Sequence, residues 1–375
     1  MALLFLVLIP VFAFGQDSGC PVIDPIPPNE EGRQPPVWED LLMREPTWYG
    51  SAESQRAAEN VLIYQRDSGG WPKNITMSAK LDDKKKKELL EFTHDPMSTI
   101  DNSATTTQLY FLARMIQTTR DQRYILAFLK GLDYLLDAQY ANGGWPQYYP
   151  LRKGYYSHIT YNDEAMISVM RLLRDVAQNP AFSFVDQKRR SRAGKAVQKG
   201  IDCILKTQIT VHGELTAWCA QHDEITLKPA KARAYEHPSL SGKESVGIVR
   251  FLMSLDHPSP EIVASVQRAV AWLNRVKMTG IRVIRKSDAQ SPTGFDKVVV
   301  HDASAPPMWA RFYDIGTYAP IFSDRDSKIY RNLSEISSER RNEYGWLGYW
   351  PDHLLNKEYI LWQAKWAPDH KDLLR

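Results

Sequence analysis

Apolar residues recur with a helical period along most of this 375-residue chain. In the segment 102–117, for example, Leu109, Leu112 and Ile116 fall on one face of a helix. Strand-like runs are short and cover only 281–284 and 298–301. The pattern therefore predicts an all-α chain whose loops hold the unusual residues. The predicted helices cover 81–92, 102–117, 120–139, 163–177, 187–206, 243–255 and 259–277.

A repeated motif divides the helical part of the chain into similar units. The pattern Gln-x3-Gly-Gly-Trp-Pro starts at Gln65 and again at Gln139, with the same internal spacing. A looser third copy leads from Gln208 through Gly213 to Trp218. Each copy follows a predicted helix and lies about one helical hairpin from the next. Such a unit is typical of an α/α toroid, in which helical hairpins close around an axis.

The segment 215–242 has neither a helical nor an alternating apolar period, although it is rich in aromatic, acidic and basic residues. A core segment needs such a period, and a disordered segment would lack the aromatic residues. We interpret it as a surface loop that lines a site between two helices. Its end, 241–244, reads Ser-Gly-Lys-Glu and predicts a capping box that opens the next helix.

Two acidic motifs lie at the starts of predicted helices. One contains Asp101 and Asn102, and the other contains Asn162 and Asp163. Each carboxylate has a structural alternative as a helix cap that satisfies free backbone amides. In a toroid, however, both helix ends would open on one face, and their oxygens are the ligands that Ca²⁺ prefers.

Arginine is the second candidate for chemistry. Arg233, Arg311 and Arg325 lie in loop-like segments, and planar guanidinium groups suit carboxylate ligands. The structural alternative for each is a solvated or salt-bridged surface arginine. No serine nucleophile motif accompanies His158 or His222, which are interpreted as loop or core residues.

Composition limits the class of protein. The chain carries 11 Trp, 18 Tyr and 12 Phe, more aromatic residues than a core needs, as in proteins that stack on sugars or bases. Its formal net charge of +3 is too small to indicate a nucleic acid partner. Three cysteines form no disulfide framework and no zinc spacing; Cys203 and Cys219 either pair or remain buried thiols.

The first residues predict export. Residues 1–15 are apolar and uncharged and end in a small-x-small pattern, which is typical of a signal peptide and too short for a membrane span. Cys20 lacks the context of a lipid attachment site. Residues 16–45 form a Pro-rich lead-in, and 46–375 are predicted to be a single catalytic domain. A secreted or periplasmic monomer is expected.

Several motifs together resemble one family over residues 46–351. They include GGWPKN at 69–74, TIDN at 99–102, GGWPQYYP at 143–150, YNDEAM at 161–166, KARAYEHPSLSGKES at 231–245, WARFYD at 309–314 and IFSDRD at 321–326. Their order and content resemble the family 10 pectate lyases, secreted bacterial enzymes that cleave polygalacturonate. The combination is specific, although no single motif would be.

The resemblance implies an (α/α)₃ toroid-like barrel with a Ca²⁺-assisted cleft and anti β-elimination of pectate. It implies that Asp101 and Asp163 lie in the calcium and substrate centre, with Asn102 alongside. Arg233 is similar to the family's base. By the same resemblance, substrate-binding residues are Arg325, Arg311, Lys228, Asn102 and Tyr235. A crowded cationic, Ca²⁺-loaded cleft is expected to lower the pKa of Arg233, because like charges disfavour its protonated form.

Three other functions remain open at this point. A glycoside hydrolase on the same fold would use Asp163 with Glu164 or Asp223 as an acid/base pair. A non-catalytic uronate-binding protein of the cell envelope would use the arginines only as clamps. A terpenoid-cyclase-like toroid would fit the Trp repeats, but the chain has no Asp-rich pyrophosphate motif.

Overall fold

A computed structural model describes residues 39–368. The predicted signal peptide and residues 16–38 of the lead-in lie outside the described residues, whereas residues 39–42 of the lead-in are helical. The helices are α1 Glu39–Leu42, α2 Ala52–Tyr64, α3 Asp83–Glu91, α4 Thr106–Thr119, α5 Gln122–Asp137, α6 Ala165–Gln178, α7 Gln187–Thr207, α8 Glu244–Met253, α9 Pro260–Arg275, α10 Ser338–Glu343 and α11 Tyr359–Trp366.

Three helical hairpins form the body of the fold. Helix α4 packs on α5, α6 on α7, and α8 on α9. The first helices of the three pairs contact one another in sequence, α4 with α6 and α6 with α8, and the second helices do the same, α5 with α7 and α7 with α9. The predicted all-α toroid of three hairpins is confirmed, with α2 extending the outer row through its contact with α5.

The strands are short and lie mostly in the loops. A single longer hairpin joins Ile281 to His301 and Val299 to Val283, which confirms both predicted strand regions. The strands are β1 Ile159–Thr160, β2 Thr210–Val211, β3 Glu214–Leu215, β4 Gln221–His222, β5 Leu240–Ser241, β6 Ile281–Ser287, β7 Phe295–His301, β8 Trp309–Ala310, β9 Phe312–Tyr313, β10 Phe322–Ser323, β11 Ile329–Tyr330 and β12 Leu347–Gly348.

Each repeated tryptophan is a structural anchor. The indole Nε1 of Trp71 donates to Val61 O, that of Trp145 to Leu135 O and that of Trp218 to Ile204 O, each at 2.8 Å. All three rings are 0% exposed, so they pack the toroid rather than offer a stacking surface for sugars. Trp309 repeats the contact on Leu273 O at 2.8 Å, a fourth copy that the sequence motif does not reveal.

The repeated glutamine joins neighbouring units. Gln65 Nε2 donates to Gly69 O and to Ala127 O in α5, both at 2.8 Å. Gln139 repeats the arrangement with Gly143 O at 3.0 Å and Ala196 O in α7 at 2.9 Å. Each loop is therefore tied to the second helix of the following hairpin, which explains why the motif recurs with one copy per hairpin.

The first glycine of the motif is required by a positive φ and a close approach. Gly69 has φ +102° and Gly143 has φ +96°. A Cβ at Gly69 would lie 2.4 Å from Lys130 O, and one at Gly143 would lie 2.0 Å from Lys199 O. No side chain fits against these carbonyls, so the loop can pack on the next helix only with glycine.

Helix α2 is absent from the predicted elements, and its composition gives the reason. Its buried face includes Ser54, Ala57, Ala58 and Asn60 beside Val61, so small and polar residues replace the apolar period. Asn60 Nδ2 donates to Met77 O at 2.7 Å and Ala79 O at 2.8 Å. Periodicity cannot detect a helix whose core contacts are hydrogen bonds and small side chains.

The third copy of the glutamine offers a stability test. Gln208 is 7% exposed, and its Nε2 donates to Thr216 O at 2.9 Å and to Ser265 O at 3.0 Å. We expect Gln208→Leu to lower the free energy of unfolding by about 1–3 kcal/mol, because two buried carbonyls lose their donor. Denaturant unfolding measures this. Gln198→Leu, on the exposed side of α7, the helix that Gln208 caps, should change the free energy of unfolding by less than about 0.5 kcal/mol. Equal effects would contradict the bridging role.

Candidate functional site

Two turns of the same backbone form begin the site. The turn Asp101–Ser103 precedes α4, the turn Asn162–Glu164 precedes α6, and the two pack against each other. Asn102 and Asp163 occupy the left-handed region with φ +51° and +49°. Neither turn makes a side-chain cap hydrogen bond, so the helix-cap alternative for these carboxylates is not what the structure shows.

The buried tryptophans fix the register of these turns. The N–H of Thr99 donates to Trp71 O and that of Thr160 to Trp145 O, both at 3.1 Å. Counted from these threonines, Asp101 corresponds to Asn162, and Asn102 corresponds to Asp163. The two candidate metal ligands are therefore not equivalent residues of the repeat. Asp101 is the first residue of its turn, whereas Asp163 is the second residue of its own turn.

Asp101 is a buried carboxylate with one free oxygen. It is 3% exposed, and its Oδ2 is paired with the ammonium of Lys73. Its Oδ1 is buried and has no hydrogen-bond partner among the described residues. Asn102 beside it donates from Nδ2 to Asn74 Oδ1 at 2.9 Å. A buried carboxylate oxygen without a donor is costly unless a cation or another donor completes it.

Asp163 is held by cations from later units of the chain. Its Oδ1 lies 2.9 Å from Lys243 Nζ and 3.4 Å from Arg311 Nη2. Its Oδ2 accepts a 2.7 Å hydrogen bond from Asn162 Nδ2. Lys243 is the N-cap residue of α8, so the start of the third inner helix reaches the second acidic turn.

Arg311 lies beneath the site rather than at its surface. It is 4% exposed, and its Nη2 also donates to Asn162 Oδ1 at 2.9 Å and to Glu244 Oε1 at 2.5 Å. A guanidinium so enclosed by acceptors orients Asn162 and Asp163. This burial gives no support to the direct contact with a uronate carboxylate that the family resemblance implies for Arg311.

The predicted capping box at 241–244 is only half formed. Ser241 Oγ accepts the N–H of Glu244 at 2.9 Å, as the motif predicts. The Glu244 carboxylate does not return to the Ser241 backbone, whose N–H donates to Trp218 O at 2.7 Å. It binds Arg311 and the Ser241 hydroxyl instead. The acid is thus used to hold Arg311 rather than to end the helix.

Arg233 is held by a buried glutamate. Glu236 Oε2 accepts from Arg233 Nε at 2.8 Å and from its backbone N–H at 3.1 Å, and Glu236 Oε1 accepts from Nη2 at 2.5 Å. Glu236 is 3% exposed and also accepts the Tyr344 hydroxyl at 2.7 Å. The guanidinium carbon lies 5.0 Å from the ring centroid of Tyr235 and 5.5 Å from that of Tyr344. These contacts leave Nη1 of Arg233 clear of Glu236.

Glu236 dominates the charge around Arg233. Burial lowers the pKa of Arg233, but the hydrogen bonds and the charge of Glu236 raise it more, so the net direction is upward. The lowering of this pKa by a cationic, calcium-loaded cleft stays a prediction. The nearest ionised partner is a carboxylate, which favours the protonated guanidinium.

Arg233 and the acidic turns share one region. Burial lowers the pKa of Lys73, and the charge of Asp101 raises it more, while the charges of Tyr148 and Arg233 also act on it. The guanidinium carbons of Arg233 and Arg311 lie 5.5 Å and 4.7 Å from the same Tyr344 ring, and Arg311 contacts Asp163. The sequence motifs contain Lys73 and Lys243, but they did not predict a role for either lysine. The signals that could have found them are that Lys73 directly follows the repeated Trp-Pro and that Lys243 directly precedes a helix.

The remaining predicted residues lie further out. Arg325 has a side chain 65% exposed and pairs with Glu339 at 2.5 Å. Tyr235 is buried under Arg340, whose guanidinium carbon is 4.6 Å from its ring. Lys228 is exposed, and no ion pair of its side chain is seen within residues 39–368. The structure brings Asp101, Asn102 and Asp163 together in the two packed turns, and it links Arg311 to Asp163 and to Arg233 through the Tyr344 ring. It leaves Arg325 and Lys228 at the surface.

A second acidic group exists in the described part of the chain. Ligand atoms of His158, Asp223 and Glu224 lie within 4.8 Å of one another. Glu224 already accepts Ser157 Oγ at 2.7 Å and pairs with His158 Nδ1 at 2.8 Å. Asp223 Oδ1 accepts three bonds from Ile225 and Thr226. These contacts fasten the loop.

This geometry also bears on hydrolysis. The backbone hydrogen bond from Thr226, with further bonds from the same turn, lowers the pKa of Asp223, so that carboxyl is a poor general acid. Glu164 is paired with Arg171 at 2.6 Å. Each partner proposed for Asp163 in a hydrolase is thus already engaged, Glu164 by an arginine and Asp223 by its own turn.

The segment 215–242 is less exposed than predicted. Residues 216–222 are buried, and only its middle part is at the surface. His222 is 0% exposed; its Nε2 accepts Cys219 N–H at 3.1 Å, so Nδ1 carries the proton and donates to Leu227 O at 2.9 Å. The interpretation of His222 as a core residue is confirmed. Cys203 and Cys219 are both buried free thiols.

Burial of His222 predicts acid sensitivity. Burial lowers the pKa of His222 to about 4, against the opposing effect of the Leu227 carbonyl. Between that value and the unfolded pKa of about 6.5, only the unfolded chain binds the proton. The folded state should therefore lose up to about 3 kcal/mol as pH falls through this window. Urea unfolding at several pH values measures the loss. His222→Asn should flatten this slope, whereas exposed His212→Asn should leave it unchanged. A slope that persists in His222→Asn would assign the loss to other groups.

No helix in residues 39–368 is long and apolar enough to cross a membrane.

A family model described as pectic acid lyase matches residues 65–355. A solved structure of a family 10 polysaccharide lyase from Cellvibrio cellulosa, an aspartate-to-alanine mutant in complex with trigalacturonic acid, is 34% identical with a TM-score of 0.73; the match covers 88% of this chain and 98% of that one. A second structure of a family 10 polysaccharide lyase from the same organism is 34% identical, with a TM-score of 0.71 and coverage of 84% and 96%.

No curated protein gives a significant match. The fold of three helical hairpins and the matched length agree with one another, since both comparisons extend over most of the toroid. The chain is a lyase that belongs to the pectic acid lyase family, similar to the family 10 polysaccharide lyases.

Proposed function

We propose that this enzyme is a calcium-dependent pectate lyase that cleaves polygalacturonate by anti β-elimination and releases 4,5-unsaturated oligogalacturonates. The observation that carries the proposal is the packing of the two acidic turns against each other, with Arg311 in contact with Asp163 and sharing the Tyr344 ring with Arg233. The complex of the Cellvibrio lyase with trigalacturonic acid supports a substrate of the same class.

The residues present fit a calcium ion. Asp101 Oδ1 is buried and without a partner, so it is a ready oxygen ligand. Asp163 and Asn102 add oxygen atoms from the two turns, and such hard donors suit Ca²⁺. Lys73 pairs with Asp101 and Lys243 pairs with Asp163, so each carboxylate already has a cationic partner. When bound, calcium would neutralise the uronate carboxylate and make the C5 proton more acidic.

The chemistry assigned to the chain's own residues is a proton transfer followed by loss of the glycosidic oxygen. The C5 proton of a uronate is α to a carboxyl group and is removed by a base. The C5–H electrons form the C4–C5 double bond, the C4–O bond breaks, and the leaving oxygen takes a proton from solvent. No water attacks the sugar, so the product keeps the double bond.

Arg233 is the proposed base. Its Nε and Nη2 are held by Glu236, its ring contacts fix the plane of the guanidinium, and Nη1 is left for substrate. Because Glu236 raises the pKa of Arg233, the residue has to release a proton before it can accept one. Activity is therefore expected to increase toward alkaline pH, where a larger fraction of Arg233 is deprotonated.

Ultraviolet absorbance of unsaturated uronides tests the function. Polygalacturonate is incubated with the enzyme at alkaline pH with Ca²⁺ and then with a chelator. We expect a rise in absorbance that the chelator abolishes. Release of reducing ends without a rise in absorbance would indicate hydrolysis. Binding of the polymer without any product would indicate a non-catalytic uronate-binding protein.

A further inference from the structure

The loop 147–157 adjoins the first acidic turn. Tyr148 forms a backbone bridge with Thr99, two residues before Asp101. The loop closes on itself through the Gln147 N–H and Tyr156 O at 3.0 Å. The start of the loop is thus next to the turn that holds Asp101.

Arg152 is fixed at the centre of this loop by two aromatic rings. Its guanidinium carbon lies 4.7 Å from the ring centroid of Tyr148 and 4.5 Å from that of Tyr156. The two rings pack edge to face, with centroids 5.3 Å apart. Such stacking holds a guanidinium in place while leaving its N–H groups in the ring plane available for other partners.

The polar groups of Arg152 lack the partner that the other arginines have. Arg233, Arg311 and Arg325 each bind a glutamate. For Arg152, the hydrogen bond observed within residues 39–368 runs from Nη1 to Met97 Sδ at 3.6 Å, a weak acceptor, and no carboxylate lies within 4.0 Å. A positioned, partly exposed cation without a carboxylate, beside a site for a polyanion, is suited to an anionic ligand.

We propose that Arg152, held between Tyr148 and Tyr156, binds the carboxylate of a galacturonate unit adjacent to the reacting one, and so selects for unesterified chains. The inference rests on the proposed function, because it assumes that the polymer passes over the acidic turns and Arg233. A methyl ester at that unit removes the negative charge and leaves the guanidinium with a weaker acceptor.

Arg152→Ala and Lys153→Ala are the matched variants. Lys153 is adjacent, exposed and of the same charge, but no aromatic contact of its side chain is seen in the described chain. On polygalacturonate we expect Arg152→Ala to raise KM about tenfold with kcat within about twofold, as for the loss of one charged hydrogen bond. Its preference for pectate over methyl-esterified pectin should fall by a similar factor. The KM of Arg152→Lys should lie between those of the wild type and of Arg152→Ala, because lysine keeps the charge but loses the planar stacking on the tyrosines.

Binding without turnover separates this inference from the proposed reaction. Titration calorimetry with trigalacturonate and chelator should show about tenfold weaker binding to Arg152→Ala than to Lys153→Ala. If the wild-type enzyme gave no unsaturated product, this binding difference would still support the subsite. Equal KM and equal binding in the two alanine variants would overturn it. A fall in melting temperature with unchanged binding would also overturn it, since Arg152 would then only cover the tyrosines.

Discussion

Arg233→Ala is expected to lower kcat on polygalacturonate by about a thousandfold while changing KM little, because a general base acts in the transition state and not in binding. Glu236 Oε1 keeps the Tyr344 hydroxyl as a donor at 2.7 Å in this variant, so the buried carboxylate is not left without any partner. Initial rates of unsaturated product, measured from neutral to alkaline pH, provide the test.

Two controls separate chemistry from folding. Arg233→Lys keeps a cation near Glu236, so its melting temperature should stay close to that of the wild type while kcat remains low. Lys231→Ala removes an exposed cation two residues away, one whose Nζ bonds Ser327 Oγ at 3.2 Å, and should retain most activity. Near-normal kcat in Arg233→Ala would make the base assignment wrong.

Asp101→Asn is expected to lower kcat/KM at limiting Ca²⁺ by about a thousandfold, because the ion supplies several kcal/mol of charge stabilisation through its ligands. The substitution keeps the shape and an oxygen atom but removes the negative charge opposite Lys73. Calcium affinity, measured by calorimetry on the folded variant, should fall with it. High Ca²⁺ should restore part of the activity if the loss is one of affinity.

The matched control is Asp223→Asn. Asp223 belongs to the group with His158 and Glu224, whose ligand atoms also lie within 4.8 Å of one another. An asparagine there keeps an oxygen that can accept the bonds from Ile225 and Thr226. We expect calcium affinity to be unchanged. Loss of calcium binding in Asp223→Asn, with retention in Asp101→Asn, would move the metal site to the second group.

The lysines explain how the acidic turns are stable before any cation binds. Lys73 comes from the Trp-Pro motif of the first unit and Lys243 from the start of α8. Lys73 pairs with Asp101, and Lys243 pairs with Asp163. Both lysine side chains are partly exposed, at 30% and 22% of their surface. Partly exposed lysines can move away from a carboxylate, whereas the enclosed Arg311 cannot.

The fold was predictable because its signals are local. Helices α4 to α9 follow an apolar period, and the repeat of Gln65 and Gln139 marks one unit per hairpin, since each glutamine has to reach the next helix. Helix α2 shows where such reasoning fails. Its inward face carries the polar Asn60 and Ser54, and the partners of Asn60 lie beyond the helix, at Met77 and Ala79.

The candidate site was predictable only in part. The chain by itself determined the all-α toroid, the pectate lyase family and the acids and arginines worth testing, because apolar period and motif order are properties of the sequence. Only the tertiary structure decided that Arg311 is enclosed by Glu244 and Asn162, that Glu236 holds Arg233 through two side-chain hydrogen bonds, and that Asp101 pairs with Lys73. These are contacts between distant segments or choices among nearby rotamers. Burial and charge depend on which groups meet, and that is settled only when the hairpins close.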